Sequence, residues 1–123
     1  AVQKRGFEFP NIVHNRAVID QDVRMEEGNI IFAGAFIGQE ARLGSDCGIN
    51  VNAVISHECV ISDHCHVASG AVLAGKVVLG ENVLVGQGCT IYAGVKIGSN
   101  VTIHNGCHVY KDVPDNTVVR LPR

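Results

Sequence analysis

Residues 83–106 read VLVGQG, CTIYAG, VKIGSN and VTIHNG, four consecutive units of six with the same kind of residue at matching places. Each opens on a small side chain (Val83, Cys89, Val95, Val101), carries a larger aliphatic two places on (Val85, Ile91, Ile97, Ile103), and closes on Gly or Asn. A fixed period is read before any single element, because it is the mark of stacked repeats. This one runs outward in both directions. Every sixth residue from Val13 to Val109 is Val, Ile, Leu or Met, and every sixth from Ala17 to Val113 is Ala, Val or Cys except Asn29.

Residues two apart on a strand share a face, so the small residue and the aliphatic point inward together while the one between them points out. Gly, Asn, Asp and Ser then fill the corner, as in LGSD, LGEN and IGSN. No stretch carries a 3.6-residue period long enough for a helix. Three such units per 18-residue coil give an all-β parallel β-helix, a triangular prism of about six coils. The expected layout is a lead-in strand over 1–12, the β-helix over 13–113 and a C-terminal extension over 114–123. Asn29, the inward polar exception, is expected to mark an irregular first coil.

The 123 residues suffice for one domain. A net charge of −2 lacks the basic footprint of a nucleic-acid binder. No apolar run is long enough to span a membrane, and AVQKRGFEFP lacks the apolar core of a signal peptide. The expectation is a cytoplasmic protein. The five Cys all fall in the small inward column, where Ala and Val alternate with them, so they read as buried small hydrophobes and not as disulfide or metal partners.

In a repeat protein, function shows as departure from the repeat. The corner after Ile55 is Ser56-His57-Glu58, with Asp63, His64 and His66 soon after. Glu58 beside His57 is placed as the orienting carboxylate of a general base. Gly75, one 18-residue coil beyond His57, leaves a backbone N–H open to close approach, an ingredient of an oxyanion site. His66 shares its outward position with Val60, Val72, Val78 and Leu84, an apolar outer surface that invites cover by another subunit. His104 and His108 complete the suspects. The six His lack the spacing with which γ-class carbonic anhydrases, which share this architecture, hold zinc; no metal is expected.

The run Asn52-Ala-Val-Ile-Ser-His57-Glu58-Cys59, His66 nine residues after His57, Gly70-Ala-Val-Leu-Ala-Gly75 and Val109-Tyr-Lys-Asp-Val-Pro-Asp-Asn116 together resemble the bacterial sialic acid O-acetyltransferase and nucleotide-4-aminosugar N-acetyltransferase family. The resemblance implies a left-handed coil, an exception to the usual crossover rule. It implies acetyl-coenzyme A as donor, a small-molecule sugar acceptor, and a homotrimer with active sites between subunits. It further implies His57 as the base that deprotonates an amine or hydroxyl, Glu58 as its support, and the Gly75 N–H on the oxyanion. His66 would contact the thioester end of the donor, and Gln87 and Asn105 would offer backbone groups to the pantetheine arm. Two departures stand out. Family enzymes carry a nucleotide-sugar-binding domain before the β-helix, and this chain begins at its tail, which opens the alternative of a non-catalytic trimeric scaffold or an acyltransferase remnant. Val119-Arg-Leu-Pro-Arg123 also replaces the family's usual C-terminal segment.

Overall fold

The computed structural model describes residues 9–122; the first eight residues of the expected lead-in lie outside them. Two-residue strands alternate with corners, and every third strand joins the same sheet. The seven-stranded sheet contains Ile12–Val13, Ile30–Ile31, Gly48–Ile49, His66–Val67, Leu84–Val85, Thr102–Ile103 and Val118–Val119. The six-stranded sheet runs from Val18–Ile19 through Val54–Ile55 and Val72–Leu73 to His108–Val109. The five-stranded sheet runs from Arg24–Met25 and Arg42–Leu43 to Lys96–Ile97. All pairing is parallel and in register at a step of 18, as in Val72↔Val54 and Leu73↔Ile55, until the last coil, where Val118 pairs with Thr102. The three-sided β-helix expected from the period is therefore present, and its pairing continues beyond Val113 into the C-terminal segment.

From Asp22 to Gly106 each corner closes on a residue in the left-handed backbone region. Where this is not glycine it is Asp, Asn, Glu, His or Lys, with φ between 56° and 62°. The conformation is held by the neighbouring coil: the Glu58 N–H donates to the Gln39 carbonyl at 2.9 Å and the His64 N–H to Ser45 at 2.9 Å. Backbone stacking thus places polar and charged side chains at the corners whatever their own turn preference.

The inward columns form one continuous core. Ile37, Ile49, Ile55, Leu73, Leu79 and Ile91 are fully buried, with Ala35, Ala53, Ala71 and Cys89 filling the narrower positions. The five Cys are buried and free, and their thiols donate to carbonyls 12 or 15 residues on, as Cys65 does to Gly80 at 3.0 Å. Leu73 is sandwiched between Ile55 and Ile91 of adjacent coils. Its replacement by Ala leaves a cavity that the stacked backbone cannot close, and is expected to cost about 2–5 kcal/mol, read as a lowered midpoint in guanidinium unfolding.

Two expectations are corrected here. Asn29 does not mark an irregular coil. It is wholly buried, its Nδ2 donates to Gly44 O at 2.9 Å and its Oδ1 accepts from the Cys47 N–H at 2.8 Å, while Ile12–Val13 pairs in register with Ile30–Ile31. The side chain bridges two coils and satisfies its own polar atoms, which is why a core position accepts it. The second correction concerns the outward position. Val60, Val72, Val78 and Leu84 do not line one surface with His66, because successive hexads face three ways. His66 shares its sheet with Ile30, Gly48, Leu84 and Thr102. Apolar residues predominate at the outward positions of the six- and seven-stranded sheets, among Thr90, Thr102, His66 and His108, whereas the five-stranded sheet shows Arg24, Arg42 and Lys96 beside Val60 and Val78.

Candidate active site

Ser56-His57-Glu58 turns the chain from the six-stranded to the five-stranded sheet. Glycines in the coils on both sides let this corner stack closely. A Cβ on Gly38 would lie 2.7 Å from the His57 backbone nitrogen, and one on Gly75 would lie 2.7 Å from Cε1 of the His57 ring. The imidazole therefore rests against the Gly75 backbone, in space that only a missing side chain leaves open. The His57 carbonyl in turn accepts from the Lys76 N–H at 2.9 Å, tying the two levels together.

Glu58 Oε1 stands 3.0 Å from His57 Nδ1, with the side chains 46% and 58% exposed. The tautomer that donates Nδ1–H to the carboxylate leaves the lone pair on Nε2, the atom nearest Gly75. At some other corners the middle N–H is capped from the next coil: Ser45 by Asp63, Gln87 by Asn105, Ser99 by Asp115. Above Gly75 that position is Ala93, which has no acceptor side chain. A lone pair and an uncapped N–H thus share one corner. This is the arrangement needed to take a proton from a nucleophile and to receive the oxygen of the carbonyl it attacks.

Cys59 follows Glu58 directly but takes no part. It is buried, its Sγ donates to Ala74 O at 3.2 Å, and burial pushes its thiol above the usual range. Asp63 and His64 are absorbed by the next corner, Asp63 capping the Ser45 N–H at 2.9 Å and His64 facing Asp46 at 3.7 Å. Among the described residues no three His, Cys, Asp or Glu side chains converge as a metal ligand set.

A second feature lies on the seven-stranded sheet and its corner toward the six-stranded one. A groove of about 710 Å³ brings together His66, Gln87 and Asn105, the three residues expected on the donor side. His66 Nδ1 would meet a Cβ on Gly48 at 2.8 Å, so this ring too rests on a glycine, one coil before it. That glycine is legible in the sequence as the residue 18 before His66. His104, Arg120 and Leu121 also line the groove and were not anticipated there. Arg120 and Leu121 arrive because Val118–Val119 pairs with Thr102–Ile103 and carries the chain back over the groove. Among the described residues no carboxylate lines the groove, while Arg120 and two imidazoles do.

The expected backbone groups at Gln87 are already engaged. Its N–H donates to Asn105 Oδ1 at 2.9 Å and its carbonyl accepts from Gly106 at 2.8 Å, so Gln87 has its side-chain amide to offer a ligand. Within one chain, His57 and His66 open onto different grooves: His57 borders a small recess with Gln39, Glu40 and Glu58, whereas His66 lies in the large one.

Residues 76–111 match the family described as bacterial transferase hexapeptide (six repeats). No curated protein sequence matches the chain significantly. Among solved structures, a variant of GDP-perosamine N-acetyltransferase from Caulobacter crescentus, in complex with CoA and GDP-perosamine, superposes with a TM-score of 0.92 at 33% identity, covering 94% of this chain and 55% of that one. The acetyltransferase domain of PglB from Neisseria gonorrhoeae, in complex with acetyl coenzyme A, gives 0.92 at 26% identity, with 94% and 57% covered. WeeI from Acinetobacter baumannii gives 0.90 at 25% identity, with 98% and 60% covered. The chain spans little more than half the length of the solved proteins it matches.

Proposed function

We propose that this hexapeptide-repeat β-helix, so close in fold to sugar acetyltransferases, transfers an acetyl group from acetyl-coenzyme A to the amine of a nucleotide-linked amino sugar. The observation that carries the reading is the His57 imidazole, bonded through Nδ1 to Glu58 and lying with Nε2 against the Gly75 backbone. In the reaction, the acceptor nitrogen attacks the thioester carbonyl carbon as Nε2 takes its proton. The Gly75 N–H receives the negative charge that forms on the carbonyl oxygen. Collapse of the tetrahedral species breaks the C–S bond, and the departing thiolate takes the proton back from the imidazolium. A thioester is already activated, so no acyl-enzyme is required, in keeping with a buried Cys59.

The large groove suits the donor. Coenzyme A is a polyanion with a long amide arm, and a groove with no carboxylate among its described residues, holding Arg120 at its C-terminal end and amides at Gln87 and Asn105, matches both features. His66 would lie at the thioester end.

The two apolar sheet faces support a trimer. A contact between two different faces is head-to-tail and can close a ring. In such a ring the active site would lie between chains, His57 coming from one and the donor groove from another, since within one chain the two open onto different grooves. The test is coenzyme A release from acetyl-coenzyme A with 4-aminosugar nucleotides as acceptors. Release that depends on the acceptor is expected, and a chain that binds no acetyl-coenzyme A at millimolar donor would sink the reading.

A further inference from the structure

Arg24 and Arg42 occupy paired outward positions on adjacent parallel strands of the five-stranded sheet. Strand spacing puts their backbones roughly 4.8 Å apart. Like charges directly opposite on a sheet oppose folding unless something lies between them. The ion pairs among the described residues are His57–Glu58 and His64–Asp46, so neither guanidinium is paired, although carboxylates stand nearby. The two arginines line a cavity of about 620 Å³ together with Asp22, Glu40, Glu58 and Val60. Glu58 is shared: one side of its corner holds His57, and the other belongs to this cavity.

The cavity is thus divided by charge. Asp22, Glu40 and Glu58 stack along the corner in three successive coils, each with φ near 60°, and the arginines stand two residues further on, on the sheet face. An anion finds its partners on the sheet face, and a cation finds its partners at the corner. A molecule carrying both signs, with its amine toward the corner and its anion toward the face, meets the complementary charge at each end.

Resting on the acetyl-transfer reading above, we propose that Arg24 and Arg42 hold the diphosphate of the acceptor while the acidic corner receives its amino group beside His57. Paired guanidinia on neighbouring strands suit a diphosphate because each can take one phosphoryl group through two parallel N–H donors. The β-helix then takes part in recognising the acceptor, and selects an amino sugar carried on phosphate over a sugar whose only charge is a carboxylate.

The test is calorimetric titration of the chain with UDP, inorganic pyrophosphate, uridine and N-acetylneuraminate, with coenzyme A titrated in parallel. UDP and pyrophosphate should bind while uridine and N-acetylneuraminate do not. The Arg24→Gln/Arg42→Gln double variant should lose about tenfold or more in affinity for UDP and pyrophosphate with coenzyme A affinity unchanged, and Arg42→Lys alone should lose a smaller part of that affinity. Equal diphosphate binding by wild type and double variant overturns the proposal, as does binding of uridine as tight as UDP, or of N-acetylneuraminate as tight as pyrophosphate. If coenzyme A binds and no diphosphate does, the proposal fails and the acetyl-transfer reading stands. If coenzyme A does not bind, both fall.

Discussion

The His57→Ala variant is expected to release coenzyme A about 10²–10⁴-fold more slowly at saturating substrates, with its affinity for acetyl-coenzyme A unchanged. The size follows from what is removed. His57 is the group at the corner with a lone pair facing open space beside a backbone N–H, and Cys59 is buried with its thiol hydrogen-bonded to Ala74. Glu58, the carboxylate of the same corner, lies on the Nδ1 side of the ring, away from Gly75, and is poorly placed to take over the proton. The groove proposed for the donor does not include His57 in its lining, so its occupancy should not respond. The ring is largely solvated and contributes no core contact, so unfolding should be unaltered. A single-turnover rate equal to wild type would remove His57 from the mechanism, and a parallel loss of donor binding would show that it acts as a structural support.

Gly75→Ala is expected to lower kcat by about 10²-fold without changing the fold. Gly75 is not among the positive-φ glycines, so Ala can adopt its backbone without strain. The added methyl would fall 2.7 Å from Cε1 and 3.1 Å from Cδ2 of the His57 ring. The imidazole must swing away, which is cheap for an exposed side chain and expensive for a base that has to meet a proton in line. Thermal unfolding within error of wild type, together with the kcat loss, is the expected pair of results. Combining the substitution with His57→Ala should add little further loss, since both act through the same ring. Additive losses would indicate that Gly75 acts independently of His57.

Much of this was legible in the chain. Val13 to Val109 at a step of six and Ala17 to Val113 beside it already required short strands, corners and one narrow core, and they placed the five Cys in that core. The same step, taken three at a time, put Gly75 next to His57. What failed was treating the outward residues as one column. Val60, Val72 and Leu84 lie on three different sheets, and the environment of His66 is Gly48 and Leu84, not all four apolar residues assigned to it. Asn29 was misjudged for a related reason: its partners, Gly44 and Cys47, are supplied by the next coil and carry no local signal.

The division has a physical origin. Inward side chains all meet the same core, so their constraint repeats with every strand and a period of six is visible in the residue types alone. Outward side chains meet only the coils directly before and after, at a distance of 18, and each sheet face has its own surroundings. The sequence by itself therefore determined the β-helix, its core and the corner that carries His57 and Glu58. The tertiary structure alone decided how the His57 and His66 rings turn onto the glycines of the adjacent coils, that the last strand returns Arg120 to the groove of Gln87 and Asn105, and that Arg24 and Arg42 stand without an ion-pair partner among the described residues beside the same Glu58 that bonds His57.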